Sequence, residues 1–288
     1  MKNNKLKNIL VLTMIVGLIV CIIGCVLNDF KPVSLTNRTE HKYVAAAEVK
    51  NIIINDDADI IIRASNDDKL HVTYTDSRRI TYAINESNSN LNIDSERTTF
   101  LPFISLFNSP TKLIVEVPST FNGNINSNSK NGYFYLDNIT VNCLDVQHYN
   151  GHIEIDKLNS LATAKIESKN GYIKINNTIF SDSLDIDGYN GRTELSNSTI
   201  TNASKINSKN GSIKLNSVKL SNSLTTTTLN GSINASIIAD QNDYTFNASS
   251  YNGKVNVPNS SSNSKYNFTA ETKNGDININ FTNNKGDQ

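Results

Sequence analysis

Eight Asn-Gly pairs recur at a near-constant interval from residue 131 onward, ending at Gly132, Gly151, Gly171, Gly191, Gly211, Gly231, Gly253 and Gly275. The spacings are 19, 20, 20, 20, 20, 22 and 22 residues. A fixed period of this length marks a stack of repeated supersecondary units. One Asn-Gly pair suggests a hairpin; eight at a near-constant interval do not. Each position counted from the glycine becomes a column along the stack.

The columns alternate with a period of two on both sides of the corner. Two and four residues after the glycine lie pairs such as Ile153/Ile155, Ile173/Ile175 and Ile277/Ile279, and seven and five before it lie Leu144/Val146, Ala164/Ile166 and Leu184/Ile186. This alternation predicts a strand on each side of the corner with these residues pointing inward. Three residues before the glycine the side chains are mostly small: Ser129, Ser168, Gly188, Ser208, Thr228, Ser250 and Thr272. The glycine tolerates positive φ at the bend, and the preceding asparagines, Asn131 to Asn274, are expected to stack as an amide ladder.

Two outward columns test this reading. Glu154, Lys174, Glu194 and Lys214 alternate in sign three residues after the glycine; Asp145, Lys165, Asp185 and Lys205 do so six before it. Parallel neighbours in a stack lie ~4.8 Å apart, where opposite charges help by a few tenths of a kcal/mol. The fold expected is all-β: a single-stranded parallel β-solenoid (β-helix) with ~20-residue rungs over 119–282, followed by a polar tail, 283–288.

Upstream, Met1–Lys7 carries three lysines, and Ile9–Leu27 contains no charge. Nineteen such residues just suffice to cross a bilayer as one helix, and the flanking charges place the N-terminus, 1–7, in the cytoplasm. Residues 8–27 read as an uncleaved transmembrane anchor. No convincing signal-peptide cleavage site follows Leu27, but Ile22-Ile23-Gly24-Cys25 resembles a lipobox, which would make Cys25 an acylated N-terminus. Either way the bulk of the chain lies outside the membrane. A tether, 28–48, leads to β-like runs over 49–118 that lack the Asn-Gly period and read as a β-rich cap. Within it, Phe100–Phe107 carries three phenylalanines, expected to plug the first rung rather than form an exposed patch.

Little in the chain speaks for catalysis. The carboxylates alternate with lysines, which lowers their pKa, whereas sugar cleavage needs one carboxyl kept protonated. No calcium or zinc spacing, nucleophile elbow or phosphate loop is present, so no cofactor or metal is expected. His148 and His152 read as surface residues and Cys143 as a small buried hydrophobe. With 27 basic and 27 acidic residues and no basic cluster, nucleic acid is not an expected partner. One surface stands out. Lys130, Tyr149, Lys169, Tyr189 and Lys209 lie two before the glycine, and Tyr133, His152, Tyr172 and Arg192 one after it. Cation–π stacking between rungs explains this ridge as self-stabilisation; the functional alternative is a binding ridge for an anionic cell-wall glycan or a protein.

The Ile15–Gly24 anchor, the start at Val49–Ile54 and Ala58–Ser65, the Leu113-Ile114-Val115-Glu116-Val117-Pro118 run and the Asn-Gly-X-Ile-X-Ile repeats together resemble a bacterial envelope family of "putative adhesin" domains of unknown function. That family includes LiaG-like proteins of Gram-positive bacteria. The resemblance covers nearly the whole chain and implies a surface-exposed β-solenoid, sometimes linked to envelope-stress signalling, with no catalytic residues to carry over. The function expected is a non-enzymatic, membrane-anchored adhesin-like binding protein. The alternatives are an accessory or sensory component of an envelope-stress system contacting a membrane protein and, more distantly, a glycan-processing enzyme.

Overall fold

The computed structural model describes residues 2–27, 38–46, 48–76, 80–97, 111–261 and 263–282. The chain divides into two units, Met1–Arg38 and Thr39–Gln288. The first holds a 26-residue helix, Lys2–Leu27, about 39 Å long at ~1.5 Å per residue. The described apolar side chains from Ile9 to Val20 are all exposed. Among the described residues no helix is long and apolar enough to cross a membrane. The apolar run of the sequence continues to Leu27. Phe100–Phe107 and the tail 283–288 lie outside the described residues.

The second unit is a stack of parallel rungs, and those from 124–141 to 184–200 have three separate strands each. In one rung, Leu184–Asn190 leads into the corner at Gly191, Thr193–Ser196 leaves it, and a two-residue strand, Thr199–Ile200, forms a third side. Each pairs in parallel, without offset, with its counterparts about twenty residues away, as in Ile173↔Thr193↔Ile213 and Ile166↔Ile186↔Ile206. The alternating residues point inward: Leu184, Ile186, Leu195 and Ile200 are fully buried, as are most of their equivalents along the stack, with Ser204, Phe246, Ala248 and Val257 partly buried. At about 25 cal/mol per Å² of apolar surface, this continuous strip of isoleucine and leucine is the main favourable term in holding rung on rung.

The first corner uses glycine chiefly because the rungs are close. Gly132 and Gly191 do adopt φ of 109° and 144°, yet Gly171, Gly211, Gly231 and Gly253 need no left-handed backbone. At all eight corner glycines, a Cβ would overlap a backbone carbonyl of the next rung, well inside 3.0 Å. The second corner does need positive φ, and it is filled by Asn138, Lys157, Asn177, Asn197 and Ser217, at 50–54°. Asparagine tolerates this region better than most residues, and its recurrence six residues after the glycine was a signal present in the sequence.

Residues 49–118 contribute rungs as well as a cover. Asn51–Asn55 and Asp59–Ala64 pair in parallel with Asn124–Asn131 and Phe134–Asp137, burying Ile52, Ile54, Ile60 and Ile62 like any repeat. Asp57 takes the place of the corner asparagine and accepts the Lys130 backbone N–H at 2.7 Å. Asn90–Arg97 and Lys112–Val117 form a further parallel rung. Among the described residues the antiparallel pairs are Thr39–Val44 with His71–Asp76, His71–Asp76 with Lys112–Val117, and Ile80–Ser87 with Asn90–Arg97. At the other end, Tyr244, Phe246, Phe268 and Phe281 close the core, with ring centroids 5.0–6.5 Å apart.

Candidate functional site

The parallel register turns repeated residues into continuous lines. The corner asparagines form the expected amide ladder: each Nδ2 donates to the Oδ1 of the preceding rung at 2.8–3.1 Å, from Asn150→Asn131 to Asn230→Asn210. Every chain-amide donor points the same way along the stack. The outward charges behave differently in their two columns. Lys174 reaches Glu154 at 2.8 Å, and Lys214 reaches Glu194 at 3.4 Å. In the other column Lys165 lies in register between Asp145 and Asp185 but binds Glu167, two residues along its own strand, at 2.6 Å. Both lysines have raised pKa values through these bonds. The Lys174 and Tyr133 hydrogen bonds hold the Glu154 carboxyl below its usual range.

The ridge residues are brought together as rung-to-rung pairs. The Lys169 ammonium sits over the Tyr149 ring and the Lys209 ammonium over the Tyr189 ring, each 4.5 Å from the centroid. On the other side of the corner, His152 and Tyr172 stack at 4.0 Å. The Tyr133 hydroxyl donates to Glu154, and burial together with that bond raises the phenol pKa. Arg192 binds Glu194 at 3.4 Å. Lys130 ends the line. These contacts occupy the tyrosine faces and lysine heads with each other, at about 0.5–1 kcal/mol per exposed cation–π pair.

His148 corrects the surface reading. It occupies the inward position three before Gly151, and is 3 % exposed. Its ring meets Phe134 edge-on at 5.4 Å, Ser127 Oγ lies 3.5 Å from Nε2, and Nδ1 has no hydrogen-bond partner of good geometry. Burial lowers its pKa to about 4, against weaker upward pulls from the Gly132 backbone and the Asp57 charge. Imidazole chemistry outweighed column position in the sequence reading, and the column was the better guide. His152 is exposed, as expected.

A groove of about 730 Å³ runs across six rungs between two of these lines. One wall is the Lys130–Tyr149–Lys169–Tyr189–Lys209–Leu229 line, so five ridge residues border it; Tyr133, His152, Tyr172 and Arg192 do not. The opposite wall, four residues before each glycine, is Asn128, Gln147, Glu167, Asp187, Asn207 and Thr227. The sequence reading missed this second wall, although period two places it on the same face as the ridge. The floor is the small-residue column: Ser129, His148, Ser168, Gly188, Ser208 and Thr228. Several floor hydroxyls donate to corner carbonyls, including Thr228 to Gly211 at 2.9 Å and Ser168 to Gly171 at 3.5 Å. Among the described residues no cluster of metal-ligating side chains occurs. Aromatic, cationic, amide and acidic side chains thus follow one another along its walls from rung to rung.

The Toastrack DUF4097 family matches residues 49–287, and the chain belongs to it. A crystal structure described as a "putative adhesin" from Bacteroides fragilis is similar at 16 % identity and a TM-score of 0.55, covering 85 % of this chain and 97 % of that one. Another, described as a "putative lipid binding protein" from Parabacteroides distasonis, is similar at 15 % identity and a TM-score of 0.53, covering 86 % of this chain and 97 % of that one. At such identities the likeness is one of fold. No curated protein matches the chain significantly.

Proposed function

We propose that this member of the Toastrack DUF4097 family is a non-enzymatic, adhesin-like binding protein of the bacterial cell envelope. In this reading the N-terminal helix holds it to the membrane, and the groove of its stack binds an extended glycan. The observation that carries the reading is the groove, which offers the same wall and floor positions at six successive rungs. A polymer lying along the axis meets a fresh set of contacts every ~4.8 Å. Weak contacts repeated in this way suit retention of a chain. The adhesin and lipid-binding descriptions of the two similar structures also name binding rather than turnover.

Membrane attachment is supported by the helix itself. The run Ile9–Leu27 carries no charged residue, and a helix that is apolar all round belongs in a core or a bilayer. The preceding lysines favour a cytoplasmic N-terminus. The test of the groove reading uses the full chain in detergent micelles, applied to purified cell-wall glycan and eluted with soluble fragments of the same glycan. Specific retention and elution are expected. A folded chain that passes through unretained refutes the glycan reading.

A further inference from the structure

The ridge alternates strictly when its residues are taken in the order of the stack. Tyr266–Asn274 lies between Leu224–Asn230 and Tyr244–Asn252. The line two residues before each corner glycine therefore runs Lys130, Tyr149, Lys169, Tyr189, Lys209, Leu229, Lys273, Tyr251. Along the chain, Leu229, Tyr251 and Lys273 would break the pattern. In space a lysine returns at every second rung over all eight. The groove follows the same line: a further stretch of about 450 Å³, bordered by Ser249, Tyr251, Glu271 and Lys273, shares Thr227 and Thr228 with the stretch already described.

Cation–π pairing explains only half of this alternation. Lys169 and Lys209 lie over tyrosines of the rung before. Lys273 instead follows Leu229, which has no ring, and Lys130 follows the corner at Asp57. Among the described residues neither of these two ammonium groups has an ion pair or a ring beneath it, and Lys273 does not reach Glu271 on the opposite wall. Rung-to-rung stabilisation thus leaves the period without a reason at both ends of the line. The ring-bound lysines also keep donors to spare, because an ammonium has three. Tyr149, Tyr189 and Tyr251 remain 46 %, 38 % and 80 % exposed.

We propose that the groove binds an extended acidic glycan that carries one carboxylate on every second sugar, an assignment that rests on the glycan reading above. With rungs ~4.8 Å apart, successive lysines stand about 9.6 Å apart. That is close to the length of one disaccharide in an extended 1,4-linked chain. Each carboxylate then meets a lysine in a charge-assisted hydrogen bond, and the sugar between lays its C–H face on Tyr149, Tyr189, Leu229 or Tyr251. A glycan charged on every sugar would set alternate carboxylates against these apolar side chains, one of them at the rung of Asp187. A neutral glycan would leave the lysine period unused. Of the acids on the opposite wall, Glu167 is held by Lys165 at 2.6 Å, and Asp187 accepts from Asn207 Nδ2 at 3.0 Å.

The test uses the full chain in detergent micelles and peptidoglycan glycan strands stripped of their peptides by an amidase, so that every second sugar of a 1,4-linked chain carries a free carboxylate. The control is the same strands with those carboxylates converted to methylamides. Wild type is expected to bind the stripped strands at least tenfold more tightly than the methylamides. Its affinity for stripped fragments should climb with each disaccharide up to four, one for each lysine, and then level off. Lys273→Tyr combined with Tyr251→Lys keeps the net charge and moves one cation by one rung; this exchange should cost at least threefold. Lys219→Gln combined with Lys254→Gln, outside the groove, should bind like wild type, with circular dichroism confirming that both variants are folded. Equal wild-type binding to both strand forms, or a folded exchange variant that binds like wild type, overturns the acidic period while leaving the groove reading intact. No wild-type binding to either form overturns both readings.

Discussion

His148 makes the stack sensitive to acid, and its replacement should remove that sensitivity. The imidazole is almost fully enclosed beside Phe134, with its pKa lowered to about 4 by burial, whereas an unfolded chain titrates near 6.5. Above pH 6.5 both states hold a neutral ring, so the histidine contributes no pH dependence. Between 6.5 and about 4 the unfolded chain takes up a proton that the folded chain refuses, and folding stability falls as the pH falls. Across that window the loss amounts to about 3 kcal/mol, from ~1.4 kcal/mol per pH unit. For a folded unit of this size that corresponds to a melting-point drop of roughly 6–12 °C. His148→Ser places the residue of Ser129 and Ser168 in the same column. Its stability at neutral pH will change through lost packing, so the informative quantity is the slope. Thermal unfolding followed by circular dichroism at half-unit intervals from pH 7.5 to 4 should show the wild type losing stability more steeply than the variant. The other histidines and the carboxylates titrate in both proteins and cancel in the difference. Parallel curves would refute the argument, because they would mean that the buried ring gains its proton without cost.

The amide ladder predicts a second pH effect of opposite sense. Asn190→Asp keeps the bond received from Asn210 but sets a carboxylate against Asn170 Oδ1, in place of the 2.8 Å bond that Asn190 donates. A loss of about 1–2 kcal/mol is expected at pH 7. The folded state raises this carboxyl's pKa, so the loss should shrink below about pH 4, where the protonated acid can donate; urea unfolding at pH 7 and 3.5 measures both. Gly171→Ala must drive a methyl group into the Gly151 carbonyl, with an expected loss of about 3 kcal/mol or more. Gly188→Ala, whose Cβ would lie 3.4 Å or more from its neighbours, should cause none, and the two melting curves side by side test whether rung proximity is what the corner glycines serve.

Much of this fold is legible because a parallel stack converts spacing into contact. The Asn-Gly period fixes which residues become neighbours, so Lys174 meets Glu154 and Lys169 covers Tyr149, pairs twenty residues apart that no local rule would join. Position fails where two outward partners compete. Lys165 is equally in register with Asp145 and Asp185, yet it turns to Glu167, which lies on the same outward face of its own strand. The groove was half legible. Its tyrosine and lysine wall stood out by chemistry, whereas the Asn128–Thr227 wall, being chemically mixed, showed only in its phase.

The order of the rungs at the two ends was not legible, and the reason is physical. Pairing chemistry is the same for any rung placed on any other, so the loops decide which neighbours meet. At the C-terminal end the chain passes from Leu224–Asn230 to the outermost strand, Tyr244–Asn252, and returns to insert Tyr266–Asn274 between them. The ladder follows space rather than sequence there: Asn274 donates to Asn230, and Asn252 donates to Asn274. The other end mirrors it, with the early strand Asn51–Asn55 held between Asn124–Asn131 and the later Asn90–Arg97. An outermost rung has one neighbour and opens first. If the last strand of the chain lay there, its free end could peel away residue by residue. Inserted one place inward, it is bonded on both faces, and the exposed rung is an internal segment tied to the stack at each end. The C-terminal swap therefore guards the repeat stack where repetition alone leaves it weakest, whereas at the other end Asn90–Arg97 is covered by the antiparallel strand Ile80–Ser87.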